Sequence, residues 1–171
     1  STKRTQTQFL EVIMFHTTVQ QLHQAAQDGA LDTVRRCLST IDINTVSALS
    51  NTQDTPLHSA LIHPTPDTVD NKKSVFRLLM TKAQPELLLK KTHAGNTLLH
   101  KIALSDLLAG LVDEVLNHAP DLVHIQNRDG LCPIHVAVSN GQLAIVAQLL
   151  GHAAHPKNLC DDSGNSPLHL A

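Results

Sequence analysis

Apolar positions along this chain recur as pairs of short helical patterns separated by polar breaks. In the clearest stretch, residues 127–150, a polar turn Asn127-Arg128-Asp129-Gly130 leads into Cys132-Pro133-Ile134-His135-Val136-Ala137-Val138. The pattern breaks at Asn140-Gly141 and resumes with Leu143, Ile145, Val146, Leu149 and Leu150. That spacing predicts turn, helix, turn, helix. The same order surrounds Asp28-Gly29, where Gly29 is expected to end the first helix in a left-handed conformation that other residues resist. The helix after it is expected to bury Leu31, Val34, Cys37 and Leu38. In Asp54-Thr55-Pro56-Leu57-His58, Thr55 suits the N-cap. Pro56 suits the first helical position, because its missing N–H would have no intrahelical acceptor there.

Two units depart from the pattern. Between His63 and Lys73 the second unit is broken by Pro64, Pro66, Asp67, Asp70 and Asn71, and its second helix is expected to resume at Val75. His58 to Val75 is 17 positions against 11 from His23 to Val34, so about six residues are inserted. In the third unit Leu98 stands where its counterparts have proline, and the glycine between helices is lost in Ser105-Asp106-Leu107-Leu108-Ala109-Gly110. A fifth unit begins at Ser166-Pro167-Leu168-His169, and the reading expects the natural chain to continue beyond it. Ahead of the first unit, the apolar run 9–15 is expected to form a short helix capping the first hydrophobic face, with a partner-docking segment as the alternative.

From histidine to histidine the steps are 35, 42, 35 and 34 residues. On Thr55-Pro56-Leu57-His58, Thr97-Leu98-Leu99-His100, Cys132-Pro133-Ile134-His135 and Ser166-Pro167-Leu168-His169, with Val34, Val75, Val112 and Val146 before each apolar pair, the chain resembles the ankyrin repeat. The resemblance implies an all-α solenoid of stacked helix-turn-helix units with projecting loops. It divides the chain into a tail and capping helix at 1–18 and repeats at 19–53, 54–95, 96–130, 131–164 and a partial 165–171. It also implies framework roles for Thr55, Pro56, His58, His100, Pro133, His135, Gly141, Pro167 and His169, the histidines bonding to neighbouring loops.

Composition removes several function classes. Apolar residues make up 42% of the chain and aromatics 2%, with no Trp or Tyr, so a core of Leu, Val, Ile and Ala is expected. A net charge of -2 gives no electrostatic footprint for nucleic acid or an anionic membrane, so neither is expected as a partner. No apolar run reaches the roughly 20 residues that span a bilayer, and the polar start from Ser1 to Gln8 shows no signal-peptide pattern. Three cysteines, Cys37, Cys132 and Cys160, in no close metal or redox spacing, point to a reducing, cytoplasmic setting.

Candidate chemistry is thin. His152, His155 and Cys160 are too loosely spaced for a convincing zinc site. Cys132 three residues before His135 imitates a nucleophile and base, but it occupies the repeat's capping position. No Gly-rich phosphate loop is present, so no catalytic residue, metal or cofactor is expected.

What remains is a protein-binding surface, expected on a monomer. In the family the resemblance points to, partners lie along the concave side built from the first helices and the loop tips. Carried onto this chain, that face comprises Gln24, Ser59, Lys101 and Val136, and one turn later Gln27, Ile62, Leu104 and Ser139. Ile62, Leu104 and Val136 are apolar where a scaffold would be polar, and form a candidate patch unless the irregular third unit buries Leu104. His63 at the insertion and the tips His93, Arg128 and Asp129 complete the candidate set, with Asn51, Thr52, Asp161 and Asp162 at the other tips. Two origins fit: a host-directed effector of an intracellular bacterium, or a regulator like the inhibitors of the NF-kappa-B transcription factors, which the second unit somewhat resembles from Asp54 to its insertion. The alternative from another class is the substrate-recruiting part of a larger enzyme.

Overall fold

The computed structural model describes residues 2–46 and 54–152, and every regular element among them is helical. Pro167, His169, the fifth unit and the tips at Asn51, Thr52, Asp161 and Asp162 lie outside the described residues. Helix α1, Thr2–Asp28, and α2, Leu31–Leu38, form the first pair; α3, Pro56–Ala60, and α4, Val69–Lys82, the second. A short α5, Pro85–Leu88, lies in the connection to α6, Leu98–Ile102. A 3-10 segment Asp106–Leu111 then runs directly into α7, Val112–His118. A second 3-10 segment, Pro120–His124, precedes the fourth pair, α8, Pro133–Ser139, and α9, Leu143–His152.

First helices pack side by side in the order α1, α3, α6, α8, and second helices form the layer behind them. The seam between the layers is aliphatic. Leu22, Leu57, Leu98, Leu99, Ile102 and Ile134 from the first layer are wholly buried against Val34, Val75, Leu79, Val112, Val115 and Ile145 from the second. Each such side chain contributes roughly 1.5–3 kcal/mol of transfer free energy. Leu57 and Ile134 directly follow the helix-starting Pro56 and Pro133, and Leu98 directly follows the N-cap Thr97, so the start of each helix also sets which face is buried.

Three expectations need correction. The run 9–15 is not a separate short helix: α1 continues unbroken for 27 residues. No Pro or Gly occurs before Gly29, so nothing in the chain stops it and the boundary at residue 18 falls inside one helix. Its first half projects past the stack, leaving Phe9, Leu10, Val12, Ile13 and Met14 exposed. Second, α4 begins at Val69, so about half of the inserted residues form an added helical turn, and the irregular part ends soon after Pro66. Third, the connections between units contain short helices starting at Pro85 and Pro120, each proline fitting the first helical position.

The turn inside each pair reverses the chain differently. Gly29 and Gly141 adopt φ of 73° and 69°, the left-handed region where a side chain is disfavoured. In the second unit His63 takes that role at φ 44°. The start of α4 supplies compensation: buried Lys72 donates its Nζ to the carbonyls of Ile62 and, at 3.3 Å, His63. Thus an ammonium on α4 satisfies carbonyls left open at the end of α3.

Loops between units form stacked hairpins. Gly95 N donates to Thr92 O at 2.9 Å and Thr92 N to Asn96 O at 2.9 Å; the next loop repeats this with Gly130, Asn127 and Leu131. Arg128 N donates to Ala94 O at 3.1 Å, joining one tip to the other. A Cβ on Gly95 would stand 2.8 Å from Arg128 N, so this glycine is demanded by close approach as well as by its φ of 77°.

Candidate functional site

The candidate surface is the outer side of the first-helix layer, together with the hairpin tips and the turns inside each pair. Its framework is a column of histidines. Thr55 N donates to His58 Nδ1 at 3.2 Å, while the Thr55 hydroxyl lies 2.8 Å from the same nitrogen. Thr97 and His100 repeat this at 3.1 and 2.9 Å, and Cys132 N donates to His135 Nδ1 at 3.1 Å. Because Nδ1 accepts a backbone N–H, the proton of the neutral ring belongs on Nε2. His100 Nε2 accordingly donates to Leu131 O, 2.8 Å away in the following loop. That carbonyl also closes the hairpin through Asn127 N, so one oxygen links helix, histidine and next loop.

Electrostatics follow from burial. His58 is pushed down to about 3, first by desolvation, then by the nearby charge of Lys101, with the Asn96 backbone and His23 as smaller influences of opposite sign. His58 Nε2 makes no hydrogen bond of normal geometry, yet Asn96, the counterpart of Leu131, is near enough to oppose part of the desolvation. Burial also lowers His100, partly offset by the Leu131 carbonyl, and lowers His23, partly offset by Asp54. His23 Nδ1 pairs with the Ser59 hydroxyl at 2.7 Å. These neutral, mutually spaced rings are framework, and the fit of Cys132 is the same: its Sγ faces His124 O at 3.7 Å and it is buried.

The sequence-derived residues separate into groups. Ser59 is only 5% exposed and its hydroxyl is taken by His23, so it belongs to the framework and is withdrawn from the surface. Lys101, Ile62 and Val136 are half-buried, and Ser139 is exposed. Leu104 is 50% exposed, so the irregular third unit does not bury it. His63, His93, Arg128 and Asp129 are exposed at turns and tips, with the Arg128 backbone fixed by the neighbouring hairpin. Gln24 and Gln27 are exposed on α1, where Gln24 donates to the Asp28 carboxylate at 3.0 Å.

Two residues escaped the sequence reading. Leu143, at the start of α9, is 77% exposed; its position just after Asn140-Gly141 was the available signal. Lys72 is buried at 4% exposure, and desolvation lowers its pKa against the opposing pull of Asp28. Nothing in the local pattern marks it, because a lysine at a helix start normally stays in water. His152 Nε2 lies 2.6 Å from Asp113 Oδ1, while His155 and Cys160 lie outside the described residues. Among the described residues no three His, Cys, Asp or Glu side chains gather closely enough for a metal ion.

Repeated helix pairs whose buried histidines tie helix starts and neighbouring loops together, and whose side-chain variety lies on the outside, define a solenoid repeat protein. The model of the ankyrin repeats, in three copies, matches residues 99–171. The chain is 32% identical over 152 residues to the B-cell lymphoma 3 protein homolog of the mouse, Mus musculus, a match covering 86% of this chain and 32% of that protein. It therefore spans about a third of the length of that relative. With the stacked pairs and the histidine column, these matches place the chain in the ankyrin-repeat family, and its coarse function is that of a protein–protein interaction module.

Proposed function

We propose that the chain binds a protein partner without catalysis, through Ile62, Lys101, Leu104, Val136 and Ser139 on the first-helix side, with His63, His93, Arg128 and Asp129 at the margins. The observation carrying this is that Ile62 and Leu104 hold the same place, four residues after His58 and His100, and that both present aliphatic surface on successive units. Packing of α3 on α6 and of α6 on α8 puts Val136 in the next row. Apolar surface at a polar rim is what a protein interface uses at its centre. The test replaces both Ile62 and Val136 with Asp and measures capture of partners from cytosolic extract by mass spectrometry. Loss of the captured proteins with helical content and melting unchanged supports the surface; retention of the same partners sinks it.

A narrower reading has one specific observation behind it. A match covering 86% of the chain necessarily includes the second unit, whose Asp54 to His63 stretch and insertion resemble the inhibitors of the NF-kappa-B factors, and the matching relative is a mouse protein. We infer a regulator of that kind in preference to a bacterial effector or the recruiting part of an enzyme, neither of which draws support from a described residue. It acts as a monomer in a reducing, cytoplasmic setting, which the buried thiols of Cys37 and Cys132 suit. Purified NF-kappa-B dimers provide the test. Micromolar or tighter binding that the Ile62 and Val136 replacements remove supports this reading, and failure of every dimer to bind removes it while leaving the general surface standing.

A further inference from the structure

The turns inside the second, third and fourth pairs form an edge that borders the concave layer and shares Ile62 and Leu104 with it. Three aliphatic side chains stand along it. Ile62 is half-buried, Leu104 is 50% exposed and Leu143 is 77% exposed. Their backbones are locked by polar contacts: Lys72 holds the Ile62 and His63 carbonyls. Gln142 Oε1 accepts from Asp106 N at 2.7 Å, tying the fourth turn to the third. Leu143 directly follows one end of that bond, and Leu104 lies two residues before the other. An apolar row on a rigid, hydrogen-bonded edge loses little conformational entropy on binding, which favours its use as a contact.

Spacing and charge identify the occupant. Packed helices stand 8–10 Å apart, so corresponding turns recur about every 9 or 10 Å. A polyproline-II segment has three residues per turn and rises about 3.1 Å per residue, which puts every third side chain on one face about 9 Å apart. An ordinary strand puts positions three apart on opposite faces. Along the same edge Asp67, Asp70 and Asp106 are exposed, and none forms an ion pair among the described residues. The lysines there are withdrawn: Lys72 is buried against carbonyls, Lys73 is half-buried near Gly110, and Lys101 is half-buried on α6.

We propose that this edge docks an extended, polyproline-II-like protein segment with an aliphatic residue at every third position and Lys or Arg between. This rests on the reading of the repeats as a protein-binding module and names a second site on it, which adjoins the concave layer, shares Ile62 and Leu104 with it and differs from it by Leu143 and the carboxylates. The aliphatic residues meet Ile62, Leu104 and Leu143 in turn, and the basic residues face the carboxylates.

The experiment uses fluorescent synthetic peptides of repeated Leu-Pro-Lys, with Leu-Pro-Glu, a scrambled Leu-Pro-Lys composition and a Leu/Lys helix former as comparisons, titrated with the whole chain and followed by anisotropy. Leu-Pro-Lys binds, and raising salt from about 50 to about 300 mM weakens it about tenfold. The double variant Leu104→Asn, Leu143→Asn weakens it at least about tenfold, and Asp70→Asn with Asp106→Asn flattens the salt dependence. Equal binding of the glutamate or scrambled peptide, tighter binding of the helix former, an unchanged Leu104/Leu143 variant, or no binding of Leu-Pro-Lys each overturns the proposal. Val136→Asp separates the two sites: it removes the concave-layer partner and leaves the peptide bound. If it removes the peptide as well, the edge is not the site; if the variant keeps the partner while the peptide still docks, the concave layer is wrong and the edge stands.

Discussion

Acid should loosen this stack through His58 before it protonates the carboxylates. The ring is wholly buried, its Nδ1 accepts the Thr55 backbone N–H, and its pKa is held near 3 against an ordinary 6.5. A proton added at Nδ1 would turn the acceptor into a donor facing another donor, in a site closed to water. Because the folded pKa lies below the unfolded one, the stabilisation from a neutral His58 is complete above about pH 6.5. It drains away as pH falls toward 3, where the unfolded chain alone binds the proton. Near pH 5 the unfolded state holds about one more proton than the native state at this residue. Stability therefore falls at about 1.4 kcal/mol per pH unit there, and between pH 7 and 5 the loss is about 2 kcal/mol from His58 alone. His23 and His100 are displaced in the same direction and steepen the loss.

The assay is urea unfolding at a series of pH values, followed by helical circular dichroism because the chain has no Trp or Tyr to report by fluorescence. The comparison is His58→Gln. This variant starts less stable at pH 7, by about 1–3 kcal/mol for a broken buried hydrogen-bond set. Its further loss down to pH 5 is smaller than the parent's by about 2 kcal/mol. Parallel stability profiles for parent and variant would refute the assignment, since the titrating group would then lie elsewhere.

Other consequences follow from single contacts. Gly95→Ala meets both a φ of 77° and an Arg128 N at 2.8 Å, whereas Gly141→Ala has open space and only its φ of 69° to strain. Gly141→Ala should cost about 1 kcal/mol and Gly95→Ala clearly more, and equal melting shifts would contradict the close approach of the two hairpins. Lys72→Met keeps the apolar stem but leaves the Ile62 and His63 carbonyls without their donor. A loss of about 1–3 kcal/mol in unfolding free energy is expected, and an unchanged value would show that water serves them equally well. Cys37 is buried, with its thiol pushed up by desolvation despite Arg36. It should react with a thiol reagent at neutral pH only as fast as the chain opens, and mild urea should accelerate labelling.

The repeated parts of the fold were legible because their signals are local. Thr55-Pro56 starts a helix through cap and ring geometry, and Gly29 and Gly141 end one through a conformation that side chains resist. What escaped was decided by absences and by distant partners. Helix α1 runs 27 residues because no residue stops it, and apolar periodicity marks the cluster 9–15 but not a missing breaker. Proline at 64 and 66 drew the second helix of its unit too late, although a proline constrains mainly itself and the residue before it; Val69 was free to be helical. Ser59 was placed on the surface by its register, but a histidine 36 positions earlier takes its hydroxyl. No local pattern reports a partner at that separation.

The irregular units owe their exposed character to the same departures that made them hard to read. In a regular pair a left-handed glycine closes the turn without any side chain, as Gly141 does with nothing near the place of its Cβ. The second unit has His63 at that bend, and Lys72, in the first turns of α4, satisfies the carbonyls. The third unit has no such bend; Ser105 accepts from Leu107 N at 3.3 Å and a 3-10 segment carries the chain straight into α7. Both solutions fix the turn by polar contacts instead of apolar burial, which leaves Ile62 and Leu104 outside the core. An insertion that merely lengthened a loop would have added polar, solvated residues. This one leads into α4, where the buried Lys72 ammonium holds the backbone that carries Ile62 at the edge, so framework and recognition in this unit depend on the same few contacts.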